Sequence, residues 1–209
     1  YAPHGFPDVK ELGVDFYTFS LYKTYGPHLG LLYGKEEILK KLPNQNHEFL
    51  NGDYPYTINP GGPNHEELCS LIGIYKYFDK FYYHHFIKDN KNIREKILKV
   101  NELISKHEEK IANPVLDYLN SRKDINLIGK NKIKNKNRAP TISFYSNKKS
   151  SKEIAEILNK SKIATRNDNF YAWRCLRHLG IDTNDGVIRL SMTHYNNIED
   201  TEKVIKALD

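Results

Sequence analysis

Lys23 is the residue whose setting invites covalent chemistry. It stands in "SLYKTYGPHLGLLYG", residues 20–34, between two apolar runs of strand character, with the hydroxyls of Ser20 and Tyr22 just ahead of it. A lysine amine becomes a nucleophile when a desolvated setting or a nearby cation lowers its proton affinity, and its main covalent use is bond formation with a carbonyl carbon. A strand end followed by a Gly-Pro turn holds such an amine in place, and the two hydroxyls are suited to donate to a phosphate. On spacing alone the plainer reading, a solvated lysine at a hairpin tip, is preferred.

A second candidate lies in "GVIRLSMTHYNN" near the end of the chain. On a strand, Arg189, Ser191 and Thr193 share one face and Ile188, Leu190 and Met192 the other, so the guanidinium projects away from the apolar layer. An arginine so placed suits bidentate capture of a carboxylate, and a solvated strand face is an equal alternative. The strongest cationic run, "KNKIKNKNR" at residues 130–138, lacks the interleaved aromatic residues that stack nucleic-acid bases, so it reads as a solvated loop. The nine histidines show no zinc-ligand spacing with cysteines or carboxylates, and no metal is expected.

The elements that must position these residues can be read from periodicity. Residues 14–20, "VDFYTFS", and residues 29–34, "LGLLYG", are expected as strands, and "KEEILKKL" from Lys35 as a short helix. Residues 43–63 are loop chemistry throughout, and an excursion of this length tends to be functional. Asn64 with Glu67 three residues on predicts a capped helix running to about residue 86. A long helix follows from about residue 92, with an interruption expected near Pro114. Beyond it, two- and 3.6-residue periods alternate: strands at "INLIG", "PTISFYS" and "VIRLSMT", and helices at "SSKEIAEILNKS", "FYAWRCLRHLG" and "IEDTEKVIKAL". These predict a small α+β layer with helices on one face of an antiparallel or mixed sheet.

The chain has 209 residues, enough for one large or two small domains, and its formal charge of +6 is too diffuse to name a partner. Cys69 and Cys175 fit neither a disulfide framework nor a metal site, which favours a reducing, cytoplasmic setting. No apolar run is long enough for a membrane span, and residues 1–10 lack the pattern of a signal peptide.

Taken together, "GVDFYTFSLYKTYGPHLGLLYG" resembles the lysine segment of class V aminotransferases, the pyridoxal-phosphate family that includes cysteine desulfurases, selenocysteine lyases and isopenicillin N epimerase. "YAPHGFPDVKELGVDF" is similar to the approach to that lysine, "GGPNHEELCSLIGIYKYF" to the glycine-rich turn and following helix, and "GVIRLSMTHYNNIEDTEKVIKAL" to the C-terminal end. The resemblance implies an α/β fold of the fold-type-I class. Residues 1–88 would be the C-terminal part of the large cofactor-binding domain, and residues 89–209 a small C-terminal α+β domain. It implies that Lys23 forms the internal aldimine with pyridoxal 5'-phosphate and then moves the substrate's α-proton. Ser20 and Tyr22 are implied as phosphate ligands, Tyr22 standing where desulfurases commonly carry a histidine. Arg189 is implied to grip the substrate carboxylate, with Arg166 a second active-site arginine and His4 near the position of a pocket residue. The substrate would be a small amino acid, transformed by transamination, β-elimination or epimerisation, in a cytoplasmic homodimer that binds neither nucleic acid nor membrane.

Three departures accompany the resemblance. The turn carries Gly61-Gly62 where a threonine is usual, so only backbone N–H groups remain as phosphate donors. Tyr171 stands at the position of one desulfurase group's cysteine, with Cys175 one helical turn further on. The chain begins after the place of the aspartate that pairs with the cofactor's ring nitrogen, which makes it the C-terminal portion of an enzyme. The alternative expectation is a non-catalytic half that pairs, as an interaction domain, with a missing N-terminal half.

Overall fold

The computed structural model describes residues 3–59, 61–87, 89 and 91–209. They form two compact units, Tyr1–Asn101 and Glu102–Asp209. The domain boundary expected at residue 88 falls on a residue outside those described.

In the first unit, the aromatic and β-branched run forms β1 (Phe16–Ser20), which pairs antiparallel with β2 (Gly30–Gly34) in a register that sets Ser20 opposite Gly30. A 3-10 turn over Leu21–Thr24 follows β1 directly, and Tyr25 leaves it in the left-handed conformation at φ 64°. The turn is seated from within: Leu21 and Thr24 are buried, Leu21 N–H donates to the Leu29 carbonyl at 2.8 Å, and Gly26 N–H donates to the Leu21 carbonyl at 3.0 Å. A Cβ at position 26 would stand 2.6 Å from Ile74 Cδ1 and 3.0 Å from the Leu21 carbonyl oxygen, so only glycine lets the hairpin approach this closely.

A short helix α1 (Glu36–Leu39) follows β2. The stretch expected as one helix from residue 64 forms α2 (His65–Ser70) and α3 (Ile72–His85), separated at Leu71. Asn64 caps α2 as its spacing predicts, accepting from Glu67 N–H at 2.9 Å. The break has a local cause. Ser70 Oγ donates to the Glu67 carbonyl at 2.7 Å, the acceptor that Leu71 N–H would use in a regular helix, and Leu71 donates to Leu68 instead. Phe78 and Tyr82 form the buried side of α3, with Phe6 edge-on to Phe78 at 5.4 Å between ring centroids.

Helix α4 (Ile93–Ser121) opens on a reciprocal cap, with Glu95 N–H donating to Asn92 Oδ1 and Asn92 N–H to Glu95 Oε2. In the first unit its buried Lys96 donates to Asp79 and to the Tyr83 hydroxyl, both at 2.7 Å. These partners hold the Lys96 amine well above the ordinary lysine range. Contrary to the expected interruption, α4 runs through Pro114. Ala112, Val115, Leu116 and Leu119 around it are fully buried, and burial of that stripe outweighs the one backbone bond that proline removes.

The second unit is built on a four-stranded sheet, β3 (Ile125–Ile128), β4 (Thr141–Ser146), β5 (Arg166–Asp168) and β6 (Val187–Ser191), in the order β3-β4-β6-β5 and antiparallel throughout. Ile142, Phe144, Ile188 and Leu190 face the core, packed with the later residues of α4 and with α5 (Ser151–Lys160) and α7 (Ile198–Leu208). Both of the latter helices carry a complete capping box, Ser150 with Glu153 and Asn197 with Asp200. The helix α6 (Trp173–His178) departs from the expected single layer: its Leu176 joins Ile181 and Val187 in a smaller cluster, which by alternation lies on the face of β6 that Arg189 occupies. Among the described residues, no helix is long and apolar enough to cross a membrane.

Candidate functional site

The hairpin places Lys23 by simple geometry. Leu21 and Thr24 turn inward in the 3-10 turn, which leaves Tyr22 and Lys23 exposed on its other side. Lys23, Ser20, Thr18, Tyr17 and Phe19 line a cavity of about 480 Å³, closed by Phe6, Pro7, Val9, Gly30 and Tyr33. That volume suits a cofactor-sized molecule, and its wall is mostly apolar with a few polar groups, as small-molecule sites tend to be. Among the described residues, Lys23 is the one charged residue in the lining. Thr18 Oγ1 is committed to the Leu31 carbonyl at 3.0 Å, which leaves the Ser20 and tyrosine hydroxyls as the adaptable polar groups.

The remaining residues expected near the lysine lie outside this lining. The Tyr22 ring packs edge-on to His28 at 5.1 Å, and Lys23 Nζ sits 5.4 Å from its centroid. His4 is half-buried, two positions before Phe6 of the cavity wall. Gly61 takes φ 123°, a conformation that disfavours any side chain, and its N–H donates to the Asn59 carbonyl at 2.9 Å. Gly62 follows it in an exposed turn ahead of α2.

In the second unit, Arg189 stands opposite Arg166 of β5 on one side and Ser143 of β4 on the other. The Arg189 guanidinium lies 4.5 Å from the centroid of the Phe170 ring. Its Nε is buried and, among the described residues, has no hydrogen-bond partner. Phe170 and Tyr171 both adopt positive φ, 52° and 62°, in a loop where Asn169 Oδ1 accepts from Tyr171 N–H at 3.1 Å. Tyr171 is fully exposed. Neither Phe170 nor Ser143 carried a sequence signal: the first follows a polar "NDN" run, and the second is one serine in an ordinary alternating strand. The strand β5 was equally silent, because "RND" has no apolar alternation.

The basic run at residues 130–138 is an ordered loop. Ile133 is buried, its backbone bracketed by the Asn113 amide at 2.9 and 3.1 Å, and the Arg138 guanidinium donates to the carbonyls of Ile128, Lys130 and Thr141. Burial lowers the proton affinity of that guanidinium from its ordinary value. Cys69 and Cys175 are free and exposed. No group of three or more His, Cys, Asp or Glu among the described residues could hold a metal ion.

Residues 1–100 and 96–204 match the family model described as Aminotransferase class-V. Among curated proteins, the chain is 32% identical over 211 residues to the aminotransferase-like protein FGM3 of Gibberella zeae, covering 100% of this chain and 49% of that protein. It is 28% identical over 220 residues to the cysteine desulfurase-like protein ustD of Aspergillus flavus, covering 100% of this chain and 45% of that one. Among solved structures, the apo cysteine desulfurase of Thermococcus onnurineus superimposes with a TM-score of 0.73 at 23% identity, over 98% of this chain and 48% of that one. The fold is accordingly the fold-type-I architecture expected from the sequence, and the chain spans about half the length of these relatives.

Proposed function

The chain belongs to the class-V aminotransferase family, whose chemistry depends on pyridoxal phosphate, and on that premise we propose that it is the lysine-bearing, C-terminal part of such an enzyme, acting on a small amino acid by transamination, β-elimination or epimerisation. The observation that carries this reading is the cavity that Lys23 lines, the one charged group there among the described residues, beside Ser20 and two tyrosines. An amine and hydroxyls in a pocket of that size fit a phosphorylated aldehyde.

Each residue then has a task. Lys23 Nζ would hold the cofactor's aldehyde group and would serve as the base for the substrate's α-proton. Ser20 Oγ and the Tyr22 hydroxyl would donate to the phosphate, as would the Gly61-Gly62 turn, through Gly62 N–H because Gly61 N–H is engaged by the Asn59 carbonyl. Arg189, supported by Arg166, binds the substrate carboxylate, and His4 contributes to the pocket wall. Bound pyridoxal phosphate supplies the electron sink for the α-carbon. Among the described residues, no carboxylate lines the Lys23 cavity. We assign the first unit to the large domain and the second to the small one, in a cytoplasmic homodimer. The free, exposed cysteines fit a reducing compartment.

A second reading is favoured by the coverage of about half of the relatives: a non-catalytic half that pairs with a complementary one. Titration with pyridoxal phosphate separates the two. Stoichiometric binding with a visible absorbance band that is lost in Lys23→Ala supports the enzyme reading, and absence of binding by the protein as its gene encodes it supports the other.

A further inference from the structure

The lysine-rich run at residues 130–138 is fastened along α4 and again at its base. The Asn113 amide brackets the Ile133 backbone, and the Asn120 amide, two helical turns further on, donates to the Asn131 carbonyl at 3.2 Å. At the base, the Arg138 guanidinium is engaged by the carbonyls of Ile128, Lys130 and Thr141. The far end closes on a turn. Asn137 N–H donates to the Lys134 carbonyl at 3.1 Å and Lys134 N–H to Asn137 Oδ1 at 3.0 Å, with Asn135 and Lys136 between them both left-handed, at φ 52° and 58°. Ile133 is buried while Lys130, Lys132 and Lys134 are exposed, so the loop turns one apolar side chain into the unit and a row of three ammonium groups out of it.

The charge of that row is scarcely balanced. Lys132 stands 3.5 Å from Asp117, a pair exposed on both sides and weak for that reason, and among the described residues Lys130 and Lys134 make no ion pair. Lys136 differs, because it lines a cleft with Glu102 and Glu109 of α4 and so has acidic neighbours of its own. A charge run that serves only solubility keeps its conformational freedom and needs no fastening. Like charges held side by side repel, whereas a surface ordered in advance loses less freedom when an opposite charge binds it. The side chains also select among anions. The loop has no aromatic ring to stack a base, and its one guanidinium, held by carbonyls, does not offer its fork to a phosphate. What it presents is compact ammonium groups on flexible stems, suited to carboxylates spaced along a chain. We propose that Lys130, Lys132 and Lys134 form a pre-ordered docking surface for an acidic segment of a partner protein, one rich in glutamate or aspartate.

The test is fluorescence anisotropy of the protein at low ionic strength with a labelled peptide of alternating glutamate and serine, and with labelled single-stranded oligothymidylate as the competing anion. The peptide is expected to bind more tightly than the oligonucleotide and to be released by added salt. Lys130→Gln/Lys132→Gln/Lys134→Gln should weaken peptide binding about tenfold. Lys152→Gln/Lys160→Gln/Lys206→Gln removes the same charge from exposed positions on α5 and α7 and should leave the affinity within about twofold. Asn120→Ala, which frees one side of the loop from α4 without changing charge, should weaken the peptide about threefold. No peptide binding, tighter binding of the oligonucleotide, or equal losses in the two triple variants overturns the proposal. So does an unchanged affinity in Asn120→Ala, which would return the loop to plain charge attraction.

Discussion

Gly186 and Gly180 both adopt φ 70°, and they differ in what surrounds them. A Cβ at Gly180 would meet nothing within 4 Å, whereas one at Gly186 would stand 2.3 Å from the Asp168 carbonyl carbon, 2.4 Å from its oxygen and 2.8 Å from Asn169 N. Those are backbone atoms at the end of β5, so they cannot swing aside as a side-chain tip can. Gly180→Ala therefore costs only the left-handed backbone penalty, roughly 1–2 kcal/mol. Gly186→Ala adds overpacking of about 1–3 kcal/mol, for a total of roughly 2–5 kcal/mol. With a urea dependence of about 2 kcal/mol per molar, the midpoint falls by about 0.5–1 M in the first variant and about 1–2.5 M in the second. The displaced atoms belong to the loop that carries Phe170, so Gly186→Ala also disturbs the Arg189 environment and Gly180→Ala does not. Equal midpoint losses in the two variants would refute the claim that close backbone contact, and not conformation alone, requires glycine at 186.

Four further outcomes follow from the second unit and the hairpin. Leu158→Ala, which empties a fully buried site between helices and sheet, should cost about 2–5 kcal/mol in urea unfolding. Thr201→Val, which keeps the shape but removes the 2.7 Å donation to the Ile111 carbonyl, should cost about 1 kcal/mol by the same measurement. The Glu153 carboxyl is held below its ordinary range by the Ser150 backbone N–H and then the Ser150 hydroxyl, and that of Asp200 by the Asn196 amide and then the Asn197 N–H. Depressed folded-state values mean that both caps contribute fully at neutral pH and are lost as pH falls through those values, so the stability advantage of the native protein over a Glu153→Gln/Asp200→Asn variant should shrink on acidification below about pH 4. Lys23→Ala, at an exposed position, should leave the urea midpoint unchanged.

The capped helices were legible because their signals are local: Asn64 with Glu67, Ser150 with Glu153 and Asn197 with Asp200 each report a bond made within four residues. The face assignment on β6 was legible for the same reason, since strict alternation separates Arg189 from Ile188 and Leu190. The break at Leu71 depends on which donor reaches the Glu67 carbonyl, and the continuity of α4 through Pro114 depends on burial against the second unit's core; neither contest is decided by residue type alone. The Phe170 contact and the Arg166–Arg189 opposition required register, which a three-residue polar strand does not announce. Lys23 was reached through resemblance over the whole hairpin, because a lysine beside a serine and a tyrosine is ordinary surface chemistry until its cavity is seen.

The most direct measurement of the central claim is borohydride reduction of the protein, as its gene encodes it, in the presence of pyridoxal phosphate, followed by peptide mapping. The account predicts a single pyridoxyl group on Lys23. A label on any other lysine, with Lys23 unmodified, would contradict it.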